Sequence, residues 1–315
     1  MSKIEKALRR ARNDKSLVVV PGGQAVPTSA GGSKDLTAAA ETNVNLHRRE
    51  AATALIARMR EPSPRERSEL LSRNIILPES AENGTVQAFR EIRTKILQRT
   101  HGRNCVVMVT SVSGRAGASF VASNLGVAFA FDAGKTALVV DCNLRNPGLQ
   151  KLFSDPALPG LTDYLESSNM DMAEIIHPVG IERLRVIPAG QKREVPSEYF
   201  TSGRMRELLN TLRQRYVERF IIIDAPPMSD TADTQILAEM CDYILLVVPY
   251  GKATMTQVDS CIKALEAKKL LGTVFNNEPV LPRFDWNEIV IAPLRFVRDR
   301  LTWLGTTIVH AVRKR

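Results

Sequence analysis

The chain has 315 residues, 44% of them hydrophobic, with 43 basic and 34 acidic side chains giving a net charge of +9. That length accommodates one large α/β domain with appendages, and the hydrophobic share excludes a wholly disordered chain. Four cysteines (Cys105, Cys142, Cys241, Cys261) form no CxxC pair, which excludes a disulfide scaffold and fits reduced thiols. The histidines at 47, 101, 177 and 310 have no metal-ligand spacing.

The excess charge sits at the two ends. Residues 1–16 carry six basic and two acidic side chains and residues 291–315 carry six and one, so 17–290 is neutral. A nucleic-acid binder shows its basic patch on the folded domain. The ends are therefore expected to address an acidic partner or an anionic membrane surface, and no nucleic-acid partner is expected. Met1 opens a charged segment rather than a signal peptide, and no apolar run approaches the ~20 residues that span a bilayer. The expected location is cytoplasmic, at most peripheral on the inner face of the cytoplasmic membrane.

In chain order, Ile4, Ala7, Leu8 and Ala11 predict a short basic amphipathic helix over 1–13. Gly, Pro, Ser and Ala then dominate 14–45, which reads as a flexible linker. A partly helical lead-in follows over 46–83, broken by Pro62, Pro64 and Pro78. From 84 to 278 the pattern alternates: helix 86–97, apolar run 105–110, helix 119–132, strand 137–141, a loop-rich stretch to about 182, strand 184–188, helix 203–215, strand 220–224, helix 233–240, strand 243–249, helix 254–268 and strand 272–276. The strands are continuous Val/Ile/Leu runs, which implies cover on both faces. Alternating βα units with such strands predict an α/β fold with a doubly wound, mostly parallel sheet.

Ligands of such sheets bind beyond the carboxyl ends of the strands, where three chemical segments begin. SVSGRAGAS (111–119) joins a strand to a helix, where backbone N–H groups and a helix N-terminus can cradle phosphates. Asp141 and Asp224 each end a strand. Ser119 stands where a hydroxyl would reach Mg²⁺, but the preceding residue, lysine in the general phosphate loop, is Ala118, and Val112 replaces the first glycine. By itself the loop reads equally as a tight structural turn. Gly134-Lys135-Thr136 precedes a strand and lacks the glycine five residues earlier, so it is a turn and not a phosphate loop.

ALVVDCNLRNPGLQKLF (137–153) and FIIIDAPPMSDTADTQILAEMCDYILLVV (220–248), joined in order by ERLRVIPAG, PSEYF and GRMRELLNTL, resemble the bacterial tyrosine autokinases of polysaccharide systems. The resemblance covers about 84–277, and SKIEKALRRAR with ERSELLSRNIILPES resembles the exosortase-associated branch. It implies a P-loop NTPase fold with ATP and Mg as cofactors. The phosphate-binding residues would be Gly114, Arg115, Gly117, Ala118, Ser119 and Phe120, and the Mg ligands Ser119, Asp141 and Asp224. Asp141, Asp224 and Arg145 match catalytic positions, while Asn143 stands where the family has a second aspartate. The family's self-association helix falls on Gln87, Arg90 and Arg93, with glutamine replacing its glutamate. The family's C-terminal tyrosine cluster has no counterpart, since no tyrosine follows Tyr250.

Four departures on four different steps point to a pseudokinase-like regulator or scaffold of exopolysaccharide synthesis and export, with weakened ATP and Mg binding. An active tyrosine autokinase is the alternative, and a partitioning-type membrane-positioning ATPase a third. Implied partners are a polysaccharide copolymerase or chain-length membrane protein, an active kinase paralogue and further copies of the chain. At the C-terminus, Leu294, Val297, Leu301, Leu304, Ile308 and Val312 alternate with basic residues within a 279–315 tail. That stripe suits an anionic membrane surface and suits docking on its own domain equally.

Overall fold

A computed structural model describes residue 56 and residues 64–79, 84–153, 158–216, 218–229, 231–265 and 268–277. The expected helix at 1–13, the linker at 14–45 and the tail at 279–315 lie outside the described residues.

Seven strands form one sheet: β1 (Val106–Ser111), β2 (Thr136–Asp141), β3 (His177–Pro178), β4 (Leu184–Ile187), β5 (Arg219–Asp224), β6 (Tyr243–Pro249) and β7 (Leu270–Asn276). Their order is β3-β4-β2-β5-β1-β6-β7, parallel throughout except for β3 against β4. The chain moves from β1 to β2 on one side and from β5 to β6 on the other. The topological switch therefore lies at β1 and β5, where such sheets open a crevice.

Ten helices pack around the sheet among the described residues. They are α1 (Arg67–Ser72), α2 (Gly84–Thr100), α3 (Ala118–Ala130), α4 (Leu149–Phe153), α5 (Leu161–Glu166), a 3₁₀ turn (Met172–Ile175), α6 (Pro196–Thr201), α7 (Gly203–Arg215), α8 (Thr231–Met240) and α9 (Met255–Ala264). Every residue of β1, β2 and β5 is buried, which is why these strands lack polar alternation. Val107, Val109, Val139 and Ile222 pack with α2 and α3, while Met108, Leu138, Val140 and Ile223 pack with α7 and α8 on the opposite face. Each such side chain contributes about 1.5–3 kcal/mol by leaving water.

Helix α3 is apolar almost all round because it is enclosed almost all round. Phe129 stacks on Phe220 with ring centroids 4.2 Å apart, and Phe120 meets Phe89 of α2 edge-on at 5.9 Å. Gly126 permits the approach of helix to sheet, since a Cβ there would stand 2.6 Å from Val139 Cγ2. The lead-in residues Leu70, Ile75, Ile76 and Leu77 are buried against the same layer. Asn124 of α3 straps them down: its Oδ1 accepts from Ile76 N–H at 2.8 Å and its Nδ2 donates to Asn74 O at 3.1 Å.

Candidate functional site

The loop from Ser111 to Gly117 leaves β1 and turns into α3. Its start is pinned by Val112 N–H donating to Val247 O of β6 at 3.0 Å. Gly114 and Arg115 are exposed, and Arg115 (φ +59°) and Gly117 (φ +90°) both take the left-handed conformation. Such a succession turns backbone N–H groups toward a common point, which favours an anion. Gly117 supplies no side-chain cap to this 13-residue helix, and the N-terminal end of a helix favours an anion. Ala118 is the first residue of α3 and brings a methyl group where a phosphate loop carries an ammonium.

The two carboxylates come together through strand register: Asp141 at the end of β2 is the direct neighbour of Asp224 at the end of β5. Both are fully buried. Asp141 accepts from Asn143 N–H at 3.1 Å on Oδ1, and from Gly148 N–H and Leu149 N–H, each at 3.0 Å, on Oδ2. Burial pushes its pKa up to about 6, and the three backbone donors hold it from rising further. Asp224 is pushed well up, first by burial and then by the charge of Asp141, with the Ser119 hydroxyl acting in the opposite direction. Among the described residues neither Asp224 oxygen has a partner in hydrogen-bond geometry, and Ser119 favours its charge. Ser119 and Asp224 flank Gly148, where an added Cβ would stand 2.6 Å from Ser119 Oγ and 3.8 Å from Asp224 Oδ2.

An orphaned, buried carboxylate beside a hydroxyl and a second carboxylate is costly unless a cation joins it. The donor set is all oxygen and small, which suits a Mg²⁺ ion that keeps several waters. Among the described residues no group of three or more His, Cys, Asp and Glu forms a protein-only metal cage. The residues present thus fit Mg²⁺ through Ser119 and the aspartates. They fit a nucleotide's phosphates through backbone alone.

The remaining expected site residues are placed more diversely. Asn143 closes a local turn, its Oδ1 accepting from Asn146 N–H at 3.3 Å. Arg145 pairs with Asp233 of α8 at 3.1 Å, and Asp233 is buried. That pair ties the loop after β2 to α8. Phe120 faces α2 and not the phosphate loop's concavity. On α2, Arg90 donates to Pro78 O at 3.0 Å and Arg93 to Ala128 O at 2.8 Å, so both arginines hold elements of their own chain together. Gln87 lies on the same helix.

Three residues with a part in the site carried no signal in the sequence reading: Asp233, Gly148 and Asn276. Asn276, at the end of β7, is buried and donates from Nδ2 to Ala116 O of the loop at 2.8 Å. A cavity of about 720 Å³, lined by Arg99, Arg206, Arg213, Asp242, Tyr243 and Lys268, lies at the other end of the strands.

A parallel sheet with a strand-to-helix phosphate loop and paired acidic strand ends defines a P-loop α/β domain. No protein-family model matches the chain. It is 32% identical over 199 residues to the putative tyrosine-protein kinase EpsB of Ralstonia solanacearum, covering 62% of this chain and 26% of that one. It is 32% identical over 218 residues to the tyrosine-protein kinase YwqD of Bacillus subtilis, covering 68% of this chain and 90% of that one. Among solved structures, the chimerical protein CapA2B2 superposes with a TM-score of 0.58 at 29% identity, covering 73% of this chain and 99% of that one. The chain belongs to the bacterial tyrosine-protein kinase family, and spans about a quarter of the length of its EpsB relatives.

Proposed function

We propose that the chain is a regulator or scaffold of bacterial exopolysaccharide synthesis and export, in which the family's nucleotide site is retained and its phosphoryl transfer curtailed. One observation carries this reading: Ala118 opens α3 beside an otherwise formed loop, while Ser119, Asp141 and Asp224 still converge. Bound Mg²⁺ would supply neutralisation of phosphate charge. Ser119 Oγ and Asp224 would hold it, and Asp141, kept in place by three backbone donors, would set the field around it. The N–H groups of the loop and of the first turn of α3 would orient the phosphates.

What these groups lack is a mobile cation that follows charge onto the transferring phosphoryl group. Losing one positioned stabiliser of that kind costs about 10²–10³ in rate. Asn143, spent on its own turn, offers no second carboxylate to accept a proton. An active autokinase is the second reading, favoured by the intact Asp141–Asp224 pair and by Arg115, whose guanidinium is exposed on the loop. A polysaccharide copolymerase or chain-length membrane protein, an active kinase paralogue or an anionic membrane meeting the basic ends are the partners we propose with either reading. No helix of the described residues is long and apolar enough to cross a membrane.

Equilibrium binding of labelled ATP with Mg²⁺, followed by autophosphorylation of the purified chain, separates the two readings. We expect weak, Mg²⁺-dependent binding and negligible phosphotyrosine. Robust autophosphorylation abolished by Asp224→Ala would overturn the regulatory reading.

A further inference from the structure

We infer that Asn276 is a positioning residue: its side-chain amide holds the phosphate loop in shape from β7, some 160 residues away in sequence. Its Nδ2 donates to Ala116 O at 2.8 Å, and the side chain is buried. The contact is tight on the other flank as well, because a Cβ at Gly117 would collide with Asn276 Nδ2. Gly117 is thus required twice, by its φ of +90° and by the amide packed against it.

The loop is consequently fastened at both ends and open between them. Val112 N–H donates to Val247 O of β6 at the start, and Asn276 grips Ala116 at the finish. Gly114 in the middle meets no described residue within 4 Å of where its Cβ would be. The backbone of Asn276 is held independently, in register with Pro249 and accepting from Tyr250 N–H at 2.8 Å. The side chain can therefore be altered without releasing the strand.

The residue type follows from the chemistry. Ala116 O is a buried acceptor and needs a donor, which Asn provides and Asp does not. Glutamine, one methylene longer, would drive its amide into Gly117. With alanine at 118, any hold on phosphate falls to the loop's own N–H groups, whose directions depend on this clamp. That last step rests on the nucleotide reading proposed above, but the clamp itself does not.

The test uses the full chain without nucleotide. Backbone ¹⁵N relaxation at Gly114, Ala116 and Gly117 is compared between the parent, Asn276→Asp and Asn276→Ala, with the thermal midpoint as a control on folding. In the parent we expect order parameters at Ala116 and Gly117 near the rigid value of about 0.85, falling below about 0.6 in Asn276→Asp while β1 and β5 stay unchanged. Asn276→Ala is expected to loosen the same two residues, and it also relieves Gly117→Ala in the double variant, because the colliding amide is gone. Affinity for a fluorescent ATP analogue with Mg²⁺ should fall about tenfold in Asn276→Asp, the value of one lost buried hydrogen bond. Unchanged order parameters in both variants overturn the clamp. A loosened loop in a chain whose parent binds no nucleotide supports the clamp and overturns only the nucleotide reading.

Discussion

Strand β5 begins and ends in buried charge, and its two ends obey opposite rules. At its start, Glu218 and Arg219 are buried together, Arg185 of β4 is buried nearby, and the Arg219 guanidinium stacks 3.7 Å over the Tyr216 ring. Burial pulls the Arg219 pKa down, Tyr216 and Glu218 push it back up, and Arg185 opposes them. Charges of both signs are present, and Glu218 offsets part of what burial and Arg185 cost Arg219. At its end, the charge that acts on Asp224 among the described residues is another carboxylate, and both acids are pushed upward by burial. A mixed cluster is a fastening. A like-charged pair is where the proposed Mg²⁺ would be held.

The same conservative change, carboxylate to amide, should therefore have opposite effects at the two ends. Glu218→Gln removes the carboxylate charge that favours the charged form of buried Arg219 and should destabilise the fold by about 3–5 kcal/mol in urea unfolding. A gain in stability would mean that Glu218 is not the compensating anion.

The pH response sharpens the contrast. Asp141 has a folded pKa of about 6 against the ordinary aspartate value of 3.8, so the folded state binds protons more tightly than the unfolded state. Its contribution is fully present below the unfolded pKa and is lost as pH rises from about 4 through 6. The loss is on the order of 3 kcal/mol. Without Mg²⁺ the chain should melt higher at pH 5 than at pH 7.5, and Asp141→Asn should reduce that difference, with Asp224 carrying what remains. Added Mg²⁺ should raise the midpoint at pH 7.5.

Asp224→Asn removes an unpartnered buried charge and should stabilise the metal-free fold by about 1–3 kcal/mol at pH 7.5. It should also erase the Mg²⁺ shift. A variant that loses stability while the parent ignores Mg²⁺ would show that the acidic end is structural, like the other.

A comparable effect is expected from a repair. Ala118→Lys restores a charged hydrogen bond to phosphate, about 1.5–3 kcal/mol, and should tighten Mg²⁺–ATP binding tenfold or more in titration. No change would show that the loop is no longer shaped for phosphate.

Local pattern was enough to find β1, β2, β5, β6 and β7 and the long helices between them. Continuous Val/Ile runs and extended helical periods carry their own signal over six or more residues. The stretch from 149 to 182 read as loop, yet it holds α4, α5, a 3₁₀ turn and β3. Helices of five or six residues cannot stand alone. They form here because Leu149, Phe153, Leu161 and Ile175 find a core to enter. The lead-in behaves in the same way, with Ile76 held by a side chain on α3.

The sequence by itself determined the sheet-forming strands, the βα alternation and the placing of Asp141, Asp224 and the phosphate loop at strand ends, because each depends on neighbours within one element. Only the tertiary structure decided that β5 inserts between β1 and β2, and that this register sets Asp141 against Asp224. It also decided that Arg145 answers to Asp233 and that Asn276 grips the loop. Those partners are 88 and 160 residues apart. Contacts at that separation leave no periodicity to read, since the chain's path through the sheet alone brings them within hydrogen-bond reach.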